Sequence, residues 1–297
     1  MKCIFIGGAD RSGTTMLASL LRGIHGSVVT PESLFKTDVG FPQPFSSEKY
    51  CDKLNTHPKF KHWNVDLDGI STHKYSSYKD FYECLLKRYN SNKQVDYWID
   101  HSPNNLVYSK LLNSIFNDCY FIRIVRDGRA VARSQIPLEW GENTYLQSSK
   151  AWLNKILYGF ITQSLFPDRT ILVKYEDLLS NHSNEIGRLL QFLGKPKMAN
   201  GEATSQEFVP EFSKKQHTLV GKPPNTNRAD AWKKELTQQN IADFQYYASE
   251  ALNALGYELV NVKEVKITKA HIFAEYLKEL LFKKIVNPSK YKKARSK

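Results

Sequence analysis

The first 24 residues restrict the fold more than any other part of the chain. A short apolar run, KCIFI, precedes the turn GGADRSGTT, and apolar residues at helical spacing follow it: Met16, Leu17, Leu20, Leu21 and Ile24. That order predicts a buried strand, a glycine-bearing turn and a helix whose apolar residues share one face. Such a unit is the first repeat of a parallel α/β sheet.

The turn resembles the phosphate-binding P-loop, G-x-x-x-x-G-K-[ST], with one residue changed. Gly8, Gly13 and Thr15 fit that pattern, but Thr14 stands where the pattern has lysine. Backbone amides of a turn that enters a helix bind phosphate at the positive end of the helix dipole. The ammonium that reaches β- and γ-phosphates is missing. We therefore expect a nucleotide without a triphosphate–magnesium cluster.

Three later apolar segments predict further strands of the same sheet: DYWID (96–100), CYFIRIV (119–125) and TILVKY (170–175). Continuous apolar runs are typical of parallel strands buried on both faces. Helical patterns follow each of them. The sequence thus predicts an α/β fold with a P-loop-type central parallel sheet flanked by helices, in one domain over residues 1–260.

A second basic motif, RDGRAVARS, follows the strand at 119–125. Arg126 and Ser134 are eight positions apart, so a helix places them on one side. A guanidinium and a hydroxyl suit a second phosphate. Because arginine at a helix N-terminus opposes the helix dipole, we expect an anion there.

Two segments are less regular than the predicted sheet. Residues 35–100 hold 13 aromatics in 66 positions, a higher share than the 12% of the whole chain. We predict that these residues form a helical, aromatic-rich insertion. It would lie on the side of the nucleotide site where a second substrate, the acceptor, binds. The polar segment 195–228 is long for a loop, and loops of that length are usually functional or disordered.

Charge separates the end of the chain from its body. Residues 261–297 hold 11 Lys/Arg and 3 Glu, a net charge of +8 out of +12 for the whole chain. The segment AHIFAEYLKELLFKKIV predicts an amphipathic helix, which either docks on the domain or attaches to an anionic membrane surface. The body lacks nucleic-acid-binding motifs, so we expect no nucleic-acid partner.

Cysteine usage and the N-terminal residues bear on the compartment. The four cysteines are scattered, without a C-x-x-C pair, which favours a reduced intracellular protein. The apolar run at the start is too short for a signal-peptide core, and no run of 18 apolar residues indicates a membrane span. We expect a cytoplasmic protein, with peripheral membrane contact through the basic tail as an option.

Together the motifs resemble those of the sulfotransferases that use 3′-phosphoadenosine 5′-phosphosulfate (PAPS). Their 5′-phosphosulfate motif R-S-G-T-T corresponds to Arg11, Ser12, Gly13, Thr14 and Thr15. Their 3′-phosphate motif R-D-x-R-x-x-x-x-S corresponds to Arg126, Asp127, Arg129 and Ser134. The tripeptide YED at 175–177 and a W-x-x-x-L at 232–236 continue the family order.

The tyrosylprotein sulfotransferases and their bacterial relatives are the most similar branch. In that branch a general-base glutamate follows the loop arginine by 21 residues, as Glu32 follows Arg11. A lysine in K-P-x-N precedes a tryptophan by ten residues, and here it is Lys222. His101 stands where the branch has another lysine, which is a departure.

The resemblance implies in-line transfer of a sulfuryl group from PAPS to an acceptor oxygen, without a metal ion. Glu32 would accept the proton of the acceptor hydroxyl. Arg11 and His101, with Lys222, would stabilise charge on the bridging oxygen. The 5′-phosphate would contact Ser12 to Thr15, and the 3′-phosphate would contact Arg126 and Ser134, with Ser213 as a weaker match.

The acceptor is less defined than the donor. Leu34 and Asp38 stand where the tyrosine enzymes have basic residues that hold acidic peptides. We therefore favour a carbohydrate or glycolipid hydroxyl, with a phenol or peptide tyrosine second. Two other functions stay open at this point: a magnesium-dependent nucleotide or nucleoside kinase, and a nucleotide-binding protein without catalysis.

Overall fold

A computed structural model describes residues 1–41, 44–73, 75–138, 140–198, 229–262 and 265–282. Its centre is a five-stranded sheet of order β2-β3-β1-β4-β5, in which every neighbouring pair is parallel. The strands are β1 (Lys2–Gly7), β2 (Ser27–Val29), β3 (Tyr97–Asp100), β4 (Tyr120–Val125) and β5 (Thr170–Lys174). The α/β fold class and the four predicted strands are confirmed. Sequence reasoning missed β2, which at three residues is too short to show a pattern.

Helices of the first half are α1 (Thr14–Leu21), α2 (Phe35–Asp38), α3 (Ser47–Thr56), α4 (Tyr78–Tyr89), α5 (Ser109–Phe116) and α6 (Gly128–Gln135). Those of the second half are α7 (Tyr145–Leu165), α8 (Tyr175–Ser180), α9 (His182–Phe192), α10 (Ala231–Glu235), α11 (Gln238–Ala254) and α12 (Lys269–Leu281). Short 3₁₀ helices cover Phe60–Trp63, Pro103–Leu106 and Pro167–Arg169. The helical pattern predicted after β5 is two helices, because the chain leaves helical geometry at Asn181.

Alternation along the strands gives the sheet two different apolar faces. On one face, Ile4, Ile6 and Ile122 pack with apolar residues of α1 and α9. On the other face, Phe5 and Phe121 join an aromatic cluster. Strand side chains alternate between faces, so each strand contributes to both layers.

The aromatic cluster explains the unusual composition of residues 35–100. Its buried rings include Phe35, Tyr50, Phe60, Trp63, Tyr78, Phe81, Tyr82 and Trp98. Edge-to-face pairs such as Phe35 against Trp63 hold ring centres about 5 to 6 Å apart. These rings form core beneath the loop that follows β2, whereas contact of the segment with an acceptor stays a prediction.

A further apolar cluster lies beside the end of β4 and includes Val125. The 21-residue helix α7 packs against α11, and Trp152 of α7 meets Phe244 of α11 in an apolar cluster. The Thr237 hydroxyl caps α11 by accepting from the Asn240 amide. Among the described helices, none combines the length and the apolar character needed to cross a membrane.

Candidate active site

The site lies where the carboxyl ends of β1, β3, β4 and β5 meet. In open parallel sheets, ligands bind outside these ends, at the point where strand order reverses. Here β1 lies between β3 and β4: the chain runs from β1 to β2 and β3 on one side, and then crosses to β4 and β5 on the other. The turn after β1 is held there by a hydrogen bond from the Gly8 amide to the Pro103 carbonyl, 3.2 Å long.

Both glycines of the turn are required by close packing. A Cβ on Gly8 would lie 2.2 Å from the Ile124 carbonyl oxygen of β4. Gly13 has φ of +98°, and a Cβ there would lie 2.6 Å from the Tyr175 ring. L-residues avoid this left-handed region, so glycine is favoured on both counts. The glycine pattern read from the sequence therefore has a structural cause.

The start of α1 offers hydrogen-bond donors to an anion. Gly13 is the N-cap of the helix and makes no side-chain capping bond. The first amides of a helix have no partners within it. Ser12 is fully buried, and its hydroxyl has no hydrogen-bond partner among the residues that the structure describes. A phosphate group at this point would supply acceptors for these donors.

The two basic motifs meet in one place. The Arg11 Nε donates to the Ser134 hydroxyl over 3.1 Å, which joins the first turn to the end of α6. The Arg126 Nη1 donates to the Arg11 carbonyl oxygen, also over 3.1 Å. The structure therefore brings the predicted 5′ and 3′ phosphate residues together at adjacent positions.

Aromatic side chains fix the position of Arg126. Its guanidinium lies 4.6 Å from the centre of the Tyr175 ring, a cation–π distance. The Trp152 indole donates to the Arg126 carbonyl over 3.2 Å. Tyr175, which begins α8 after the edge strand β5, thus supports both Arg126 and Gly13.

Other members of the RDGR and YED motifs are engaged internally. Arg129 donates to both carboxylate oxygens of Asp127, at 3.0 and 2.8 Å. Its guanidinium carbon lies 4.0 Å from the centre of the Trp232 ring. The Glu176 carboxylate accepts from the Asp127 amide and from the Tyr257 hydroxyl. Burial raises the pKa of Glu176. These groups brace the start of α6, where Arg126 is held.

Glu32 lies in the loop between β2 and α2, outside any helix. Its side chain is 34% exposed, and the Lys59 ammonium lies 3.9 Å away. Burial raises the pKa of Glu32 to about 7, with Lys59 opposing the shift and Asp10 and Asp100 adding to it. A carboxylate with that pKa is suited to accept a proton near neutral pH.

His101 follows the last residue of β3 and is buried. Burial lowers the pKa of His101 to about 4, although Asp100 and hydrogen bonds at the backbone of His101 and Thr30 oppose the shift. The ring is therefore neutral at pH 7. A neutral imidazole keeps one N–H group that can donate a hydrogen bond.

A buried ion pair joins the loop of Glu32 to the end of β3. The Lys36 ammonium lies 3.3 Å from Asp100 and 2.9 Å from both Ser33 Oγ and Asn105 Oδ1. Asn105 in turn donates to the Ile6 carbonyl of β1. Sequence reasoning missed this network, because a lone lysine carries no pattern.

The pKa values of both ions are lowered, but for different reasons. Burial lowers the pKa of Lys36, and the Asp100 carboxylate opposes that shift. Burial favours the neutral form of Asp100, but Lys36 and hydrogen bonds from Ser102 and Asn105 outweigh it and leave the pKa of Asp100 lowered. Hydrogen bonds from Trp98 to Thr30 and from Ser33 to Ser102 add further ties around Glu32.

Replacing Lys36 with methionine should lower the free energy of unfolding by about 3–5 kcal/mol, because Asp100 would stay buried without its counter-ion. Urea unfolding followed by circular dichroism measures this. The exposed Lys53→Met is the matched control and should change stability by less than about 0.5 kcal/mol. A Lys36→Met protein as stable as the wild type would show that the pair does not hold the loop.

Two predicted residues are not placed. Lys222 and Ser213 lie outside the described residues. Their roles therefore stay predictions. The tryptophan that marks the motif of Lys222 is described: Trp232 is buried against Arg129.

Comparison with known proteins places the chain in a family. The sequence profile of the sulfotransferase family matches residues 3–199. The chain belongs to this family and is a sulfotransferase, as its motifs indicated. Membership of this family favours the sulfotransferase reaction over the kinase reaction, which the sequence analysis had left open.

Similar proteins agree with this assignment. Protein-tyrosine sulfotransferase 1 of Danio rerio is 25% identical over 87% of this chain and 73% of its own length. Protein-tyrosine sulfotransferase 2 of Gallus gallus is 24% identical over 87% and 70%.

Solved structures share the fold. The sulfotransferase domain of the Synechococcus PCC 7002 olefin synthase superposes with a TM-score of 0.59 at 19% identity, over 87% of this chain and 95% of that domain. The sulfotransferase domain from the curacin biosynthetic pathway gives 0.57 at 18% identity, over 87% and 99%.

Proposed function

We propose that the sulfuryl donor is PAPS and that the acceptor atom is a hydroxyl oxygen. The observation that carries this proposal is the meeting of Arg11, Ser134 and Arg126 beside the N-terminus of α1. The Arg126 guanidinium donates to the backbone of Arg11, whose own side chain is a second guanidinium. Two such cations in one place favour a ligand with more than one anionic group. A nucleotide with phosphates at its 3′ and 5′ positions has that character.

The residues present fit such a donor. Gly8 and Gly13 let the turn approach neighbouring backbone and ring atoms, and Ser12 has a buried hydroxyl with no partner among the described residues. Ser12 to Thr15 and the first amides of α1 would hold the 5′ end. Arg126 and Ser134 would hold the 3′-phosphate.

The chemistry divides between the donor and the side chains. When bound, PAPS supplies the sulfuryl group and leaves as adenosine 3′,5′-bisphosphate. Glu32 takes the proton of the acceptor hydroxyl as general base. Arg11 stabilises negative charge on the oxygen that bridges phosphate and sulfate, and neutral His101 donates a hydrogen bond to it. Lys222 is proposed as a further contact to the donor.

We propose that the reaction needs no metal ion. In magnesium-dependent P-loop enzymes a lysine contacts the phosphates and an aspartate helps to hold the ion. Here Thr14 replaces that lysine, and both oxygens of Asp127 bind Arg129. The groups that would serve a magnesium–triphosphate complex are therefore replaced or already engaged.

For the acceptor we favour a carbohydrate or glycolipid hydroxyl. Leu34 and Asp38 lie next to the Glu32 loop and give an acidic peptide no cationic contact at those two positions. Peptide tyrosine is the second candidate, because the curated relatives named above are protein-tyrosine sulfotransferases.

The four cysteines are free thiols, which supports a reducing compartment such as the cytoplasm.

Radiolabelled sulfate transfer from PAPS to a panel of glycans, glycolipids, phenols and tyrosine peptides tests the proposal. We expect transfer to at least one hydroxyl, at the same rate with a metal chelator present. Loss of transfer with chelator, or transfer from adenosine 5′-phosphosulfate as fast as from PAPS, would contradict it.

A further inference from the structure

The C-terminal helix α12 docks on the domain through its polar side. The buried Glu279 carboxylate accepts from the Asn143 amide and side chain, at 2.8 and 2.9 Å. His271 lies 2.7 Å from Asp243 of α11. Thr268 caps the helix by accepting from the His271 amide. These contacts set which side of α12 faces the protein.

Away from these contacts α12 exposes several apolar side chains, whereas Ile272 and Leu280 are half-buried. The exposed side chains are Phe273 (61%), Tyr276 (48%), Leu277 (41%) and Leu281 (52%), with Phe282 (38%) after them. Phe273, Tyr276, Leu277 and Leu281 recur at spacings of three and four residues and make one stripe, to which Phe282 does not belong. We call this stripe the apolar face of α12. Soluble proteins seldom leave such a contiguous patch uncovered, and it usually marks a binding surface.

Positively charged residues follow α12 in the sequence. Lys278 lies on α12, and 15 residues follow Phe282 in the sequence. Seven of these 15 are Lys or Arg and none is Asp or Glu: Lys283, Lys284, Lys290, Lys292, Lys293, Arg295 and Lys297. The body of the chain carries 31 basic and 27 acidic side chains, so positive charge is concentrated here.

We propose that the apolar face of α12 binds the surface of an anionic lipid bilayer, helped by the positive charge of the residues that follow it in the sequence. An interfacial helix buries aromatic and aliphatic side chains at the headgroup boundary while flanking lysines contact anionic lipids. A second copy of this chain would bring two strongly basic segments together, which opposes self-association. Charge complementarity therefore favours a lipid surface as the occupant.

Cosedimentation with vesicles tests the proposal on the full chain. Vesicles of phosphatidylcholine with 30% phosphatidylserine should bind the protein, and vesicles of phosphatidylcholine alone should bind it about tenfold more weakly or worse. Phe273→Asp with Leu277→Asp should weaken binding to the anionic vesicles by about 30-fold or more. Both side chains are exposed, so the fold should be retained, as circular dichroism can verify.

A matched control uses another exposed apolar stripe. Leu157 and Ile161 on α7 are also four residues apart and exposed. Leu157→Asp with Ile161→Asp should leave vesicle binding within about twofold. The proposal is overturned if wild-type protein ignores anionic vesicles, or if both double variants bind equally well. Dimerisation of the wild type that Phe273→Asp with Leu277→Asp abolishes would also overturn it, because the face would then be an interface between copies.

Discussion

Glu32→Gln should lower kcat for sulfuryl transfer about 10²- to 10⁴-fold while leaving nucleotide affinity within about twofold. The amide has the shape of the carboxylate but cannot accept the acceptor's proton. Glu32 lies in a loop tied to β3 through Ser33 and Lys36, so the substitution should leave the backbone in place. Initial rates with saturating PAPS, and calorimetric titration of the product nucleotide, separate the two effects.

The pH profile gives a second readout of the same substitution. Since burial raises the pKa of Glu32 to about 7, half of the base is ionised at that pH and the ionised fraction falls as the pH is lowered further. For the wild type, kcat/KM should rise about tenfold per pH unit below 7 and level off near pH 8. The Glu32→Gln enzyme should lack this limb.

Asp38→Asn is the matched control for Glu32→Gln. Asp38 lies six positions further along the chain, is about half exposed and has His57 at 3.5 Å. Its loss should change kcat less than about twofold. Turnover by Glu32→Gln within tenfold of the wild type would remove Glu32 as the base.

Arg126→Ala should weaken binding of adenosine 3′,5′-bisphosphate by about 30- to 100-fold and leave ADP binding nearly unchanged. The reason is that Arg126 is proposed to contact the 3′-phosphate, which ADP lacks. The Arg126 guanidinium also donates to the Arg11 carbonyl, so a loss that extends equally to ADP would indicate a disturbed turn instead. Arg126→Lys, which keeps the charge, should bind with intermediate affinity.

Arg133 of α6, the helix that begins two residues after Arg126, offers a control. Its guanidinium pairs with Glu235 of α10 and is partly exposed. Arg133→Ala should leave affinity for adenosine 3′,5′-bisphosphate within about twofold. Equal losses of affinity in Arg126→Ala and Arg133→Ala would mean that overall positive charge, rather than a specific contact of Arg126 with the phosphate, sets the affinity.

Strands with continuous apolar runs could be predicted from the sequence, because burial on both faces requires such runs. The strand β2 could not, since three residues show no period. The helix α7 has apolar side chains on more than one side: Leu157 and Phe160 are exposed, whereas Trp152 and Ile156 are buried. Its apolar residues therefore gave no clear face.

The phosphate residues could be predicted because their chemistry is local: glycine at left-handed φ, and arginine next to a helix start. The Lys36–Asp100 pair could not, because it joins segments 64 positions apart and depends on the paired strands β2 and β3. The neutral state of His101 also depends on burial, which only the folded chain reveals.

One titration tests most directly whether Arg11 and Arg126 serve a single nucleotide. Wild-type protein is titrated calorimetrically with adenosine 3′,5′-bisphosphate, adenosine 5′-phosphate and adenosine 3′-phosphate. We predict one bisphosphate per chain, bound about 30-fold or more tighter than either monophosphate, with the three in mutual competition. Two nucleotides per chain, or a bisphosphate bound no tighter than adenosine 5′-phosphate, would contradict the account.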